Sequence, residues 1–337
     1  MSRKYCLLTG ATGFIGSHIA RRMADDSGIT VVAIVRKKND YKNVDALRSM
    51  GVILEEGEFF LEKVISLLFS KYSFSYVVHA AAIRGGGRGK RDEYWRVNVD
   101  GTENILRAAQ KTGVEKFIYC STVGVMGTIP VELPAGPHTV CNPDGNYHIS
   151  KHEAEKIVLE YRDKGVDAVI VRPTITYGEG SSGFPEMLVS MITKRMLPIS
   201  EKEVLIHLLD VNAFADLVIS ICNMKEKAAP IIIAADRKPV SVRRLADIIH
   251  HALYGSEYPS WIVVPGFVFA FLSAVFRLLK SDKWLTRVEL ISCDWYYDID
   301  DTVRKYGYNA SCTEETFVKE MGIDCAKKRK TGRATFR

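Results

Sequence analysis

The chain has 337 residues, 47% hydrophobic and 26% charged, and its 46 basic residues nearly balance 40 acidic ones for a formal net charge of +6. That is the profile of an ordinary soluble globular protein with length enough for one large domain or two unequal ones, and it excludes a chain too charged to bury a core. Part of the basic excess is local: residues 326–337, "AKKRKTGRATFR", carry six basic side chains and no acid, which reads as a disordered, solvated tail and not as a specific nucleic-acid site.

Taken in chain order, "YCLL", "TVVAIV", "YVVHAA", "KFIYCS" and "DAVIVR" are continuous apolar runs, as expected of strands buried on both faces. Between them, "FIGSHIARRMADD", "YWRVNVDGTENILRAAQKTG" and "YHISKHEAEKIVLEYRDKG" have helical spacing, and the latter two end near a glycine. Repeated βα units predict an α/β fold, a doubly wound parallel sheet (Rossmann fold) over residues 1–175. Beyond residue 175 the alternation weakens. Residues 176–203 and 236–325 are expected to form a smaller, mostly helical substrate domain, with 204–235 ("VLIHLLD" and "PIIIAA") returning to the main sheet. The run 261–279, "WIVVPGFVFAFLSAVFRLL", is split by Pro265-Gly266 into a helix too short to span a bilayer. It is expected to be buried or to line an apolar pocket, with peripheral membrane contact as the alternative. The seven cysteines are odd in number and lack any CxxC pair. With no signal peptide in view, they read as reduced thiols of a cytoplasmic protein, and no metal site is expected.

The first strand ends in "TGATGFIGSHIA", which places Gly10, Gly13 and Gly16 between a strand and a helix, the context a dinucleotide fingerprint requires. Gly10 permits the tight turn, Gly13 lets backbone amides approach a pyrophosphate, and Gly16 lets the helix pack close to the strand. The helix N-terminus offers N–H donors and partial positive charge to the phosphates. About 20 residues on, NAD-binding chains place a carboxylate for the adenine ribose diol. Here the second strand ends in Arg36, Lys37 and Lys38, which suit a 2′-phosphate and favour NADP over NAD; Asp40 could still serve a ribose hydroxyl.

Tyr147 and Lys151 lie at i and i+4 of a helix and so can share the face turned to the cleft at the strand C-termini. A free tyrosine titrates near 10, and an adjacent ammonium is expected to lower that value toward useful acid–base range. Together with "TGATGFIG", "VVHAAA" (77–82), "NVDGTENIL" (98–106), "CSTVGVMG" (120–127), "YHISK" (147–151) and "RPTITYG" (172–178), the chain resembles the extended, epimerase-like branch of the short-chain dehydrogenase/reductase superfamily. The resemblance implies an NAD(P)-dependent oxidoreductase. Tyr147 would exchange a proton with a substrate oxygen, Lys151 would hold the nicotinamide ribose, and Thr122 would hydrogen-bond the substrate oxygen. It further implies cofactor contacts at Thr12, Phe14, Ile15, Glu58, Phe59, Ala80, Ala81, Ala82, Asn98, Pro173 and Thr174, and a homodimer through the 97–112 and Tyr147 helices. Met126 stands where the family usually has tyrosine. His79 and His148 lack partners at metal-ligand spacing, and His148 is expected to face away from the catalytic pair.

Two substrate classes follow from the resemblance. Sugar-nucleotide epimerases and dehydratases hold a diphosphate with second-domain arginines, one of them just before an "I-H-V-x-D" strand. Here Glu203 and Val204 precede "LIHLLD", with Lys194, Arg195 and Lys202 as possible substitutes. The 3β-hydroxysteroid dehydrogenase and dihydroflavonol reductase groups act on apolar alcohols and ketones, and the apolar run 261–279 fits that class better. "RGGGRGKR" (84–91) reads as a loop over the cleft whose Arg84, Arg88, Lys90 and Arg91 could meet an anionic substrate.

Overall fold

The computed structural model describes residues 3–26, 28–36, 43–84 and 91–323; Lys37, Lys38, Asp40, Arg88, Lys90 and the tail 326–337 lie outside the described residues. The first half runs β1 (Lys4–Thr9), α1 (Phe14–Ala24), β2 (Ile29–Val35), α2 (Val44–Ser49), β3 (Ile53–Glu56), α3 (Glu62–Lys71) and β4 (Phe74–His79). It continues through α4 (Arg91–Tyr94), α5 (Gly101–Thr112), β5 (Lys116–Cys120), α6 (Gly145–Asp163) and β6 (Ala168–Pro173). A π-helical stretch, Trp95–Asp100, joins α4 to α5.

These strands and Ile231–Ala234 build a seven-stranded sheet in the order Ile231–Ala234, β6, β5, β4, β1, β2, β3, parallel throughout. Successive residues of a strand face opposite sides. Leu7 therefore joins one apolar layer with Val77, Leu106, Phe117 and Val158, while Leu8 joins the other with Ile19, Phe214 and Leu217. The order reverses between β1 and β4, and a doubly wound sheet opens its ligand crevice there, beyond the strand C-termini.

Of the two segments expected to return to this sheet, "PIIIAA" does so as its edge strand beside β6. "VLIHLLD" does not. Leu208–Asp210 pairs in parallel with β7 (Ile175–Tyr177) in a separate two-stranded sheet, and Leu205–Ile206 pairs antiparallel with Val240–Ser241. A short buried apolar run looks the same in either setting, because periodicity does not choose its partner. The layer containing Leu8 continues without a break into these C-terminal segments through Ile206, Trp295 and Phe317.

The run 261–279 departs most from expectation. Its helix, Gly266–Leu278, buries only Phe269; Trp261, Phe267, Phe271, Leu278 and Leu279 are mostly exposed. No helix among the described residues is long and apolar enough to cross a membrane.

Candidate active site

Beyond the strand C-termini lies a cavity of about 720 Å³, reaching from the β1–α1 turn and Arg36 at one end to Thr286 and Trp295 at the other. The glycines of the turn are dictated by space. Gly10 has φ +77°, and a Cβ there would lie 2.7 Å from the Ala81 amide nitrogen; a Cβ on Gly16 would lie 2.1 Å from the Gly10 carbonyl oxygen. Gly13 caps α1 without a side chain, so the first-turn amides are left for an anion. Beneath the turn, buried His79 bridges the Thr9 and Thr102 hydroxyls, and the Ala81 N–H donates to Thr9 Oγ1 at 3.1 Å. Burial, with Lys151 nearby, drops the His79 pKa to about 3, which keeps the ring neutral.

β5 delivers Thr122 and α6 delivers Tyr147 and Lys151 to the same cavity. Thr122 caps a 3₁₀ turn, its Oγ1 accepting the Gly124 N–H at 3.1 Å. A hydroxyl can accept one bond and donate another, so its proton remains for a substrate oxygen. Lys151 is buried among β5 and α6, donating to the Cys120 carbonyl at 2.6 Å, with Nζ 4.0 Å from the Tyr119 ring centroid. Burial lowers its pKa to about 8. For Tyr147 burial also dominates and raises the phenol's pKa, opposed by the charge of Arg84. The expected lowering by Lys151 is therefore not found, because desolvation of the phenolate outweighs nearby positive charge.

The pair is held by α6 itself. Glu155, one turn beyond Lys151, meets Arg172 of β6 in a bidentate contact of 3.0 and 2.7 Å, with both side chains 2% exposed. Cys141, His152 and Glu155 bring three potential metal-ligand atoms within 4.8 Å of one another. The Arg172 guanidinium engages that carboxylate and donates to Cys141 Sγ, so two of the three groups already have a cationic partner.

Gly10, Thr12, Gly13, Phe14, Ile15, Gly16, Arg36, Glu58, Phe59, Ala80, Ala81, Ala82, Pro173 and Thr174 line the cavity, as do Thr122, Tyr147 and Lys151. Lys37 lies outside the described residues. Asn98 stands behind the lining: it bonds both backbone groups of Ile83 and the Ser150 hydroxyl, tying the π-helical stretch to α6. His148 does not face away. Its ring lies 5.2 Å from that of Tyr147, it pairs with Asp144, and it fills the space beside Gly124. Sequence reasoning missed Arg96 and the far wall of Phe184, Pro185, Thr286, Leu290, Trp295 and Tyr297, which comes from separate segments that share no motif. The Gly266–Leu278 helix contributes nothing to that wall.

The cradle and the continuous lining fit a dinucleotide. The glycine turn and α1 would hold its phosphates, Arg36 and Glu58 the adenosine half, and Lys151 and Pro173 the nicotinamide half.

Residues 6–218 match the family model "NAD dependent epimerase/dehydratase family". Over 329 residues, 94% of both chains, this protein is 28% identical to UDP-glucose 4-epimerase of Vibrio cholerae. Over 193 residues, 56% of this chain and 55% of the relative, it is 28% identical to the 4-hydroxy-2-methyl-3-oxo-4-farnesyl-3,4-dihydroquinoline-1-oxide ketoreductase of Stigmatella aurantiaca. Among solved structures, UDP-glucuronic acid 4-epimerase from Bacillus cereus in complex with NAD superposes with TM-score 0.73 at 17% identity, covering 98% of this chain and 100% of that one. The Bordetella bronchiseptica enzyme WbmG in complex with NAD gives 0.72 at 18% identity, covering 96% of each; at such identities the likeness carries the fold alone. With its family model spanning more than half of the sequence, the chain belongs to the NAD-dependent epimerase/dehydratase family of extended short-chain dehydrogenase/reductase enzymes.

Proposed function

We propose that the protein transfers a hydride between a nicotinamide dinucleotide and the hydroxyl or ketone carbon of a largely apolar substrate. The observation that carries this is the far wall of the cavity. Phe184, Pro185, Leu290, Trp295 and Tyr297 stand there with Thr286, and no lysine or arginine of the described C-terminal segments joins them. Lys194, Arg195 and Lys202, the candidate substitutes for a diphosphate clamp, are not part of the lining. An apolar wall with few polar groups suits a hydrophobic ligand, whereas a buried diphosphate needs cationic partners.

When bound, the nicotinamide would supply hydride chemistry at the substrate carbon. In the reductive direction, Tyr147 gives its proton to the nascent alkoxide oxygen, and its raised pKa keeps that proton in place at neutral pH. Thr122 would donate a hydrogen bond to the same oxygen, with no transfer of its proton, and so orient the carbonyl. The Lys151 ammonium, with donors left over from its bond to the Cys120 carbonyl, would hold the ribose hydroxyls. Arg36, at the adenosine end of the cavity, favours NADP through the charge of a 2′-phosphate. A homodimer through α5 and α6 remains part of this reading by resemblance, and so does a cytoplasmic location.

A sugar-nucleotide epimerase or dehydratase is the second reading, favoured by the full-length similarity to UDP-glucose 4-epimerase and by Arg84 and Arg96 on the cavity. The experiment is a thermal-shift and NADPH-oxidation panel with UDP-glucose and with sterol-like or prenylated ketones. Consumption of NADPH by an apolar ketone, with no shift from UDP-glucose, is expected. A large shift from UDP-glucose alone overturns the apolar reading.

A further inference from the structure

We propose that the hairpin of Gly266–Leu278 and Asp282–Ser292 is a docking surface for an anionic lipid bilayer, seated in the interface and not spanning it. Phe267, Ala270, Phe271, Ala274 and Leu278 recur at helical spacing on one face of the first helix, and all are exposed. Trp261 before that helix, Leu279 after it and Trp284 in the second are exposed as well, at 76%, 66% and 51%, with Trp284 stacked on Phe276 at the flank of that face. The opposite face is no less apolar: Phe269, Leu272 and Phe276 pack into the core. A helix apolar all round normally has a partner on every side, and a contiguous patch of this kind marks an interaction site.

The charges choose the occupant. Between residues 261 and 292 the basic side chains are Arg277, Lys280, Lys283 and Arg287, against the acids Asp282 and Glu289, and Glu289 pairs with Arg277 at 3.2 Å, which leaves Lys280, Lys283 and Arg287 as the basic excess over Asp282. They cluster at the junction of the two helices, beside the exposed Leu278, Leu279 and Trp284. Arg287 also stacks on Trp284, with its guanidinium carbon 4.9 Å from the ring centroid. Apolar residues flanked by tryptophan and rimmed by lysine and arginine are the pattern of a helix lying in the headgroup region of an anionic membrane. A second copy docked about a twofold axis at this junction would set like charges against each other, so the patch is poorly suited to self-association. The second helix meanwhile presents Thr286 and Leu290 to the cavity. If the apolar-substrate reading holds, the bilayer would lie close to the mouth of the site. The docking itself does not depend on that reading.

The test uses the full chain with vesicles of phosphatidylcholine alone, and of equal parts phosphatidylcholine and phosphatidylglycerol, by co-sedimentation and tryptophan emission. Of the four tryptophans, Trp261 and Trp284 are on the patch, so emission should shift to the blue on the anionic vesicles and respond to salt. Phe267→Ser/Phe271→Ser/Leu278→Ser should weaken vesicle partitioning by about tenfold or more while the melting temperature and NADPH affinity stay at wild-type values. Lys280→Glu/Lys283→Glu should abolish the preference for phosphatidylglycerol. Wild-type protein left in the supernatant with both vesicles overturns the proposal. So does equal partitioning of wild type and triple variant, or a concentration-dependent dimer that the triple variant abolishes.

Discussion

Replacing Glu155 by Gln removes the charge opposite Arg172 while keeping nearly the same shape. Both partners are 2% exposed, and the contact is bidentate at 3.0 and 2.7 Å, so solvent offers the stranded guanidinium little compensation. Breaking one side of a buried pair costs roughly 3–5 kcal/mol. In a chain of 337 residues, with roughly 2.1 cal/mol/K of unfolding entropy per residue, that corresponds to a fall in Tm of roughly 4–7 °C by differential scanning fluorimetry. The effect should reach the site as well. Glu155 is one of the groups that raise the pKa of Lys151 against its burial, so its loss moves that pKa further below about 8. The pH dependence of NADPH affinity should then shift toward acid. Glu155→Met/Arg172→Met should regain most of the lost stability, since the buried charge is gone altogether. An E155Q protein with wild-type Tm and an unmoved pH profile would refute both the electrostatic burial and its link to Lys151.

Three further outcomes are expected. Gly16→Ala sets a methyl against the Gly10 carbonyl at 2.1 Å, a backbone atom that cannot swing aside; NADPH binding by fluorescence titration should weaken by about tenfold or more, since α1 must move from the phosphates. In the wild type, NADPH affinity should be flat below pH 7 and fall as pH rises through about 8, where Lys151 loses its charge; Lys151→Met should flatten that profile. Arg36→Ala should cost NADPH roughly 1.5–3 kcal/mol of binding, the range for a hydrogen bond to a charged group, and leave NADH nearly unchanged; equal losses for both cofactors would show that Arg36 does not read the 2′-phosphate.

The parallel sheet was legible because its strands are continuous apolar runs separated by amphipathic helices, a pattern with few alternative packings. The β1–α1 turn was legible because its glycines answer a steric demand, as the backbone contacts at Gly10 and Gly16 confirm. β3 escaped notice: "ILEE" is short and half-exposed, so it lacks the apolar run that marks its neighbours. The far wall escaped notice because Phe184, Leu290 and Trp295 meet only through tertiary packing. The 261–279 run was misassigned since hydrophobicity alone does not tell a residue that lines a cavity from one that faces outward. The i,i+4 spacing placed Tyr147 and Lys151 correctly on one cavity, but the sign of the tyrosine's shift depended on burial that spacing does not encode.

The most direct test of the account is Tyr147→Phe, assayed for NADPH binding and for turnover of the ketone that proves active in the wild type. The variant should bind NADPH within about twofold of wild type, since the proposed role gives the lost hydroxyl to the substrate and not to the cofactor, and lose turnover by at least the roughly 100-fold to 10,000-fold that general acid catalysis supplies. Turnover near the wild-type rate in a folded Y147F protein would contradict the assignment of the proton transfer to this residue.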